Sequence, residues 1–170
     1  KNIKIKSKNK IRLVKGSHII TKKLYKEEVA FTFQNADKRI IFVIPYKKKF
    51  SLIGTTEVEV KSPENSVISK QETQYLIRSV NIYLKKQISK KDIVDTYSGI
   101  RPLIEDFKEA SKVTRDYIFD LHIVKKLPLL NIYGGKLTTY RKLSEKVLLD
   151  LKKFLPTTKK GPWTDKKKLF

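Results

Sequence analysis

The chain has 170 residues, of which 39 are Lys or Arg and 17 are Asp or Glu, so its formal net charge is +22. It contains no cysteine, which excludes disulfide frameworks, thiolate nucleophiles and iron–sulfur clusters. No apolar run approaches the roughly 20 residues of a membrane-spanning helix, and the N-terminal KNIKIKSKNK lacks the apolar region of a secretory signal.

The first half of the chain predicts a meander of antiparallel strands. Residues 11–20 have the composition of a strand that is interrupted at Lys15 and Gly16. Three further β-branched and aromatic runs follow, separated by polar turns, at residues 29–34, 39–45 and 50–60. Strands that follow one another through short turns usually pair, so we expect one antiparallel sheet.

A helix follows the meander, and a mixed region closes the chain. Ser69 and Glu72 have the spacing of a capping box, in which each side chain binds a free backbone donor near the other. Short strands are predicted at residues 93–97, 117–124 and 129–133, and a second helix after them. The fold class is therefore α+β, with a largely antiparallel sheet and flanking helices. No G-x-G-x-x-G fingerprint follows a strand.

Two segments place a glycine beside a side chain suited to chemistry. In the first, Gly16 precedes His18 within a strand, where glycine permits close approach and histidine suits proton transfer near neutral pH. In the second, YSGIRPL, Arg101 offers a planar fork that binds phosphate or carboxylate through two hydrogen bonds. Arg115 is a similar candidate, although its neighbour Asp116 also permits an ordinary surface ion pair.

A third segment joins a strand to a helix through two glycines. Gly134 and Gly135 precede Lys136, and the helix that follows would direct free backbone N–H groups and its positive dipole end outward. The junction predicts an anion site or an ordinary strand-to-helix turn, and its spacing is not that of a P-loop. The two histidines lie too far apart for a local metal motif, so no metal site is expected.

Taken together, these segments resemble the FAD-dependent glycerol-3-phosphate dehydrogenase family. The resemblance covers residues 11–163 through the blocks RLVKGSHII, FSLIGTTEVE, DIVDTYSGIRPL, TRDYIFDLH and LLNIYGGKLTTYRKLSE. It implies a flavoprotein of the glycine oxidase/D-amino acid oxidase-like superfamily. Such an enzyme oxidises sn-glycerol 3-phosphate to dihydroxyacetone phosphate, passing a hydride from C2 to FAD and electrons to a membrane quinone.

The resemblance also implies roles for single residues. His18 and Arg101 would be catalytic: His18 takes or shares the proton of the C2 hydroxyl, and Arg101 holds substrate oxygens and stabilises negative charge. Arg115 and Lys136 would bind substrate, with Arg115 serving the phosphate. The cofactor-binding residues, at the pyrimidine edge of the flavin, would be Gly134, Gly135, Lys136, Leu137 and Thr138.

The resemblance further predicts how the chain is organised. Residues 1–128 would form a substrate-binding cap region that returns to the flavin interface, and residues 129–154 the closing strand–helix of the FAD domain. Residues 155–170 would be a linker to a C-terminal domain. Without an initiator Met or a glycine fingerprint, we expect a piece of a longer protein that, alone, binds FAD weakly or not at all and is catalytically silent. Family members lie in the cytoplasm or peripherally on the inner face of the cytoplasmic membrane.

Two other hypotheses are open at this stage. A +22 charge with eight Tyr and eight Phe is compatible with a basic nucleic-acid-binding module. Only six of the 39 cations are Arg, however, and the lysines are spread along the chain, which favours AT-rich codon bias over a nucleic-acid partner. Alternatively, the chain pairs with a separately encoded flavin-binding half.

Overall fold

The fold is that of a computed structural model, which describes residues 5, 7, 9–105, 116–156 and 163–168. These residues form two compact units. The described part of the larger one, here called the sheet unit, is Arg12–Arg101. The other, the hairpin unit, consists of the described residues within Lys1–Ile11, Pro102–Phe107 and Val113–Phe170.

The elements occur in runs, as in an α+β protein: five strands, a helix, three strands and a second helix. The strands are β1 (Ile11–Lys22), β2 (Phe31–Gln34), β3 (Ile40–Tyr46), β4 (Phe50–Gly54), β5 (Val58–Val60), β6 (Ile93–Ile104), β7 (Tyr117–Val124) and β8 (Leu127–Gly134). The α-helices are α1 (Lys70–Asn81) and α2 (Tyr140–Leu151). Short 3₁₀ turns lie at Lys90–Asp92, Leu137–Thr139, Lys152–Phe154 and Thr164–Lys166. No helix of the described residues is long and apolar enough to cross a membrane.

The sheet unit is organised around β1. The strand order is β2-β3-β4-β1-β5, and β6 also pairs with β1. The pairs of β1 with β4 and β5, and of β3 with β2 and β4, are all antiparallel, which confirms the predicted antiparallel sheet. Only β2, β3 and β4 follow one another as a meander, because β1 lies between β4 and β5 and not beside β2. The predicted interruption at Lys15 and Gly16 is wrong. β1 runs unbroken from Ile11 to Lys22 because partner strands pair with it on both sides of that point in the sequence.

A β-bulge splits the last strand of the predicted meander. His18 lies opposite Gly54, and Lys15 lies opposite Val58. Three steps along β1 therefore match four steps along its partner, so the segment 55–57 between β4 and β5 holds one extra residue. Bulges of this kind redirect the side chains beside them.

Helix α1 covers one face of the sheet. It begins as predicted: Ser69 Oγ accepts from the Glu72 N–H at 3.1 Å, and Glu72 Oε2 accepts from the Ser69 N–H at 2.8 Å. The core beneath it consists of Ile19, Ile41, Val43, Ile53, Leu76, Val80 and Ile88. Because side chains alternate along a strand, His18 points to the opposite face from its neighbour Ile19.

The hairpin unit is built from β7 and β8, which pair antiparallel with Tyr117 opposite Gly134. Both turn residues, Lys125 and Lys126, have positive φ angles, 49° and 71°. After β8 a 3₁₀ turn leads into α2, which confirms the predicted strand-to-helix order. Of the predicted linker, residues 157–162 and 169–170 lie outside the described part of the chain.

Candidate active site

A buried polar network lies on the α1 side of the strand that carries His18. Lys15 Nζ lies 2.9 Å from Glu72 Oε2 and donates to the Val67 carbonyl at 2.7 Å. Ser17 Oγ donates to Glu72 Oε1 at 2.7 Å. Lys15, Ser17 and Glu72 are all buried, and each has a polar partner. The network therefore ties β1 to the first turn of α1.

Glu72 is ionised in this network. Burial by itself raises its pKa, but hydrogen bonds from Lys15, from the Ser69 N–H and from the Ser17 and Thr56 hydroxyls outweigh that effect and lower the pKa to about 2. Thr56 Oγ1 donates to Glu72 Oε1 at 2.8 Å. A carboxylate with so low a pKa holds no proton near neutral pH, so Glu72 stabilises the site rather than exchanging protons.

The bulge brings two threonines to β1. The Ser17 N–H donates to Thr56 Oγ1 at 3.0 Å, and the Thr56 N–H donates to the Ser17 carbonyl at 3.2 Å. Thr55 lies beside Gly16: a β-carbon added to Gly16 would lie 2.7 Å from Thr55 Oγ1 and 2.7 Å from Arg101 Nη2. Because Gly16 has no β-carbon, the Thr55 hydroxyl and the Arg101 guanidinium can approach the backbone of β1.

The His18 imidazole lies against the backbone of Gly54. A β-carbon added to Gly54 would lie 2.6 Å from His18 Cγ and 2.7 Å from His18 Nε2. The ring of Tyr97 lies nearby on β6, with centroids 5.8 Å apart and planes tilted by 44°. Within the described residues, no group hydrogen-bonds the buried Nδ1 of His18. Packing therefore holds the ring in place.

Burial, followed by the positive charge of Arg101, lowers the pKa of His18 below its ordinary value of 6.5. The imidazole is consequently neutral near neutral pH and has a nitrogen available to accept a proton. A neutral base beside a permanent cation suits a reaction in which a hydroxyl loses its proton and negative charge develops. The structure thus brings His18 and Arg101 together within the sheet unit.

The residues predicted to contact flavin lie together in the hairpin unit, between β8 and α2. Gly134 and Gly135 have φ angles of +73° and +102°, which favour glycine, and a β-carbon at Gly134 would lie 2.5 Å from the Asp116 carbonyl oxygen. Residues 134–138 are all exposed, and Leu137 is 89% exposed. Thr139, the residue before α2, makes no side-chain capping hydrogen bond. The Thr139 N–H donates to the Lys136 carbonyl at 3.0 Å and the Tyr140 N–H donates to the Leu137 carbonyl, so the exposed backbone that can receive an anionic group is that of residues 134–138, ahead of α2.

A cavity of about 780 Å³ opens elsewhere in the sheet unit. Its lining is aromatic and basic, and it includes Thr21, Phe33 and Val43. Neither His18 nor Arg101 lines it. Strand alternation explains the separation, because Val43 belongs to the core on the α1 side whereas His18 faces the other way. We therefore place the candidate active site at His18 and not in this cavity.

Comparison with known proteins identifies the family. A sequence profile of the FAD dependent oxidoreductase family, DAO, matches residues 2–141. The chain belongs to this family. It is 50% identical to the aerobic glycerol-3-phosphate dehydrogenase of Escherichia coli (strain K12) over 81% of the chain, and 46% identical to the glycerol-3-phosphate dehydrogenase of Pseudomonas aeruginosa over 97%. The D-erythritol 1-phosphate dehydrogenase of Brucella abortus is 44% identical over 93%.

The chain spans 28%, 33% and 32% of the length of those three relatives, respectively. The X-ray structure of the glycerol-3-phosphate dehydrogenase from Bacillus halodurans complexed with FAD has the same fold, with a TM-score of 0.70 and 24% identity. That match covers 89% of this chain and 29% of the other. The family resemblance seen in the sequence is thereby confirmed. None of these relatives is a nucleic-acid-binding protein, so that hypothesis gains no support.

Sequence reasoning missed three neighbours of the candidate site: Gly54, Thr55 and Tyr97. The signal for Gly54 was present, because a glycine inside a β-branched run often marks close approach of another group. Nothing local indicated Tyr97, whose proximity to His18 depends on the pairing of β6 with β1. Arg115 lies outside the described residues. The roles of all these residues stay predictions.

Proposed function

We propose that this chain provides the substrate side, and part of the flavin side, of a dehydrogenase that oxidises sn-glycerol 3-phosphate to dihydroxyacetone phosphate. The observation that carries the proposal is that the Arg101 guanidinium lies over Gly16, two residues before His18 on β1, where burial and then the Arg101 charge lower the pKa of the imidazole. Relatives named as glycerol-3-phosphate dehydrogenases, 50% and 46% identical, support the choice of substrate. Electrons would pass to a membrane quinone, with the protein in the cytoplasm or peripheral on the inner membrane face.

His18 takes or shares the proton of the C2 hydroxyl. Its lowered pKa leaves the ring neutral near neutral pH, which is the form that accepts a proton. The nearby guanidinium of Arg101 disfavours a second positive charge, so the imidazole does not retain the proton in the resting protein. Packing against Gly54 holds the ring without a hydrogen bond to Nδ1 from any described residue.

Arg101 binds substrate oxygens and stabilises negative charge at C2–O as the hydroxyl proton leaves. Its guanidinium lies over Gly16, where the absence of a β-carbon lets the fork approach β1. A planar fork can hold two oxygens at once, which a lysine ammonium cannot do in the same geometry. Arg115 is proposed to serve the phosphate, on the strength of its TRDY motif.

The family uses FAD, and the junction 134–138 fits the edge of a flavin ring. The fit rests on the exposed glycine backbone at Gly134 and Gly135 and on the exposed residues 136–138 that precede α2. Bound FAD supplies the hydride acceptor. Lys136, Leu137 and Thr138 would line the pyrimidine edge, where the helix start and the lysine charge stabilise negative charge. Lys136 would also contact substrate.

We assign substrate binding, FAD binding and a linker to the three regions predicted from the sequence. Residues 1–128 would serve substrate binding, residues 129–154 would complete the FAD domain, and residues 155–170 would be a linker. The occurrence of His18 and Arg101 in the sheet unit, and of the β8–α2 junction in the hairpin unit, supports separate substrate and flavin regions, although β7 pairs with β8 in the hairpin unit. The chain spans about a third of the length of its relatives, so further FAD contacts are expected of the whole protein.

A dye-reduction assay tests the proposal. The purified chain is assayed with FAD, alone and co-expressed with a polypeptide that carries the G-x-G-x-x-G unit, using sn-glycerol 3-phosphate and D-erythritol 1-phosphate as substrates. We expect the chain alone to be silent and the complemented protein to reduce dye with sn-glycerol 3-phosphate. If dye were reduced with D-erythritol 1-phosphate only, that compound would be assigned as the substrate in place of sn-glycerol 3-phosphate, in line with the name of the 44% identical relative. A flavin-loaded protein that is active with neither compound would contradict the proposal.

A further inference from the structure

The His18 ring occupies space that only a glycine at position 54 leaves open. A β-carbon at Gly54 would lie 2.6 Å from Cγ and 2.7 Å from Nε2 of His18, and closer still to Cδ2. Real β-carbons essentially never approach another heavy atom closer than 3.0 Å. Any side chain at position 54 must therefore displace the imidazole or the strand beneath it.

The register of the sheet makes this contact unavoidable. His18 lies opposite Gly54 across β1 and β4, and Phe42 lies opposite Gly54 across β3 and β4. Opposite residues project their side chains from the same face of a sheet. Since β4 is paired on both edges, its backbone is held, and the imidazole is the part that is free to move.

The need for glycine at this position is one of space. Gly54 does not have a φ angle in the left-handed region, whereas Gly134 has a φ angle of +73°. Gly99 of β6 provides a contrast, because a β-carbon there would meet only Tyr97 Oη, at an ordinary 3.6 Å. A methyl group is thus sterically excluded at Gly54 and accommodated at Gly99.

We propose that Gly54 is a positioning residue for His18: by lacking a β-carbon, it lets the imidazole lie against β4 beside Arg101. This inference deepens the proposed function and rests on it for the use of the ring as a base. A side chain at position 54 turns the ring away from Arg101 and toward solvent while the sheet stays intact.

Proton NMR titration of the 170-residue chain tests this directly, because the protein contains only two histidines, His18 and His122. The ionisable groups beside the His18 ring in the described residues are Arg101 and Tyr97, both on β6. We expect Gly54→Ala to raise the pKa of His18 toward its ordinary value of 6.5, because the ring leaves its buried place and the nearby cation. The His122 signal, assigned with His122→Gln, should keep its wild-type position and report an intact hairpin unit.

Gly99→Ala is the matched control and should leave the His18 titration unchanged. A folded Gly54→Ala protein whose His18 titrates as in the wild type would overturn the inference. If Gly54→Ala does not fold, the double variant Gly54→Ala/His18→Ala decides the matter. Removal of the ring should then restore folding, and failure to restore it would show that the ring is not what the β-carbon displaces.

The titration contains neither flavin nor substrate. Failure of the proposed function therefore appears in the dye-reduction assay, and failure of the positioning role appears in the titration. In the active, complemented protein, Gly54→Ala should also shift the acidic limb of the pH–rate profile upward, which a loss of stability alone would not do.

Discussion

Lys15 and Glu72 form a buried ion pair, Nζ to Oε2 2.9 Å, that joins the strand carrying His18 to the first turn of α1. The same carboxylate accepts hydrogen bonds from Ser17 and Thr56, so it holds both β1 and the bulge between β4 and β5. Strand β1, which carries His18 and the Gly16 over which Arg101 lies, is thus anchored by one acidic residue from outside the sheet. Four predictions follow from this arrangement and from the rest of the fold.

Glu72→Gln should lower the free energy of unfolding by about 3 kcal/mol, because it leaves the buried Lys15 ammonium without its counter-charge. Urea denaturation of the purified chain measures the change. Glu28→Gln is the control: Glu28 pairs with Lys23, but its side chain is 66% exposed, so a loss under about 1 kcal/mol is expected. Equal losses in the two variants would contradict the role assigned to Glu72.

Stability should fall in acid with a component due to Glu72. Its pKa is lowered from 4.5 to about 2 in the folded protein, so the unfolded chain takes up a proton first as the pH drops. The stabilisation is full above the unfolded pKa of 4.5 and is lost as the pH falls through about 2. This component is measured by comparing the unfolding free energies of the wild type and Glu72→Gln from pH 6 to pH 2. The two proteins should differ by roughly 3 kcal/mol at pH 6, and the difference should shrink as the pH falls. Parallel curves would refute the assignment.

Arg101→Lys should lower turnover by roughly 100-fold or more in the complemented enzyme, although the charge is kept, because the two-point fork is lost. The measurement is dye reduction at saturating sn-glycerol 3-phosphate. Arg78→Lys, on the exposed last turn of α1, is the matched control and should leave turnover unchanged. Wild-type kinetics in Arg101→Lys would remove Arg101 from the reaction.

Lys126→Gly should raise the free energy of unfolding by roughly 0.5–1 kcal/mol, because Lys126 adopts a φ of 71°, where a β-carbon is strained. Thermal or urea unfolding measures the gain. Lys142→Gly, in the first turn of α2, should have the opposite sign, since glycine weakens a helix. A loss of stability in Lys126→Gly would show that the turn is not strained.

Lysine in the β7–β8 turn also explains why the sequence contained no hairpin signal. The described non-glycine residues with positive φ are all lysines: Lys38, Lys47, Lys48, Lys125 and Lys126. Such positions usually hold glycine or asparagine, and those residues are what a sequence pattern detects. The strands on either side were predictable from their apolar character, whereas the turn residues themselves were not.

Two kinds of feature could be determined from the sequence alone: local structure set by neighbouring residues, and the family, which several motifs indicate together. The start of α1 was predictable because Ser69 and Glu72 lie within one helical turn, and the family was recognisable because several motifs keep their order. Only the tertiary structure decided that Gly54 makes room for His18, that Gly16 makes room for Arg101, and that Glu72 pairs with Lys15. Those contacts join residues far apart in the chain, and they depend on the register in which β4 and β6 pair with β1. Pairing between distant strands determines that register, and no local pattern of residues records it.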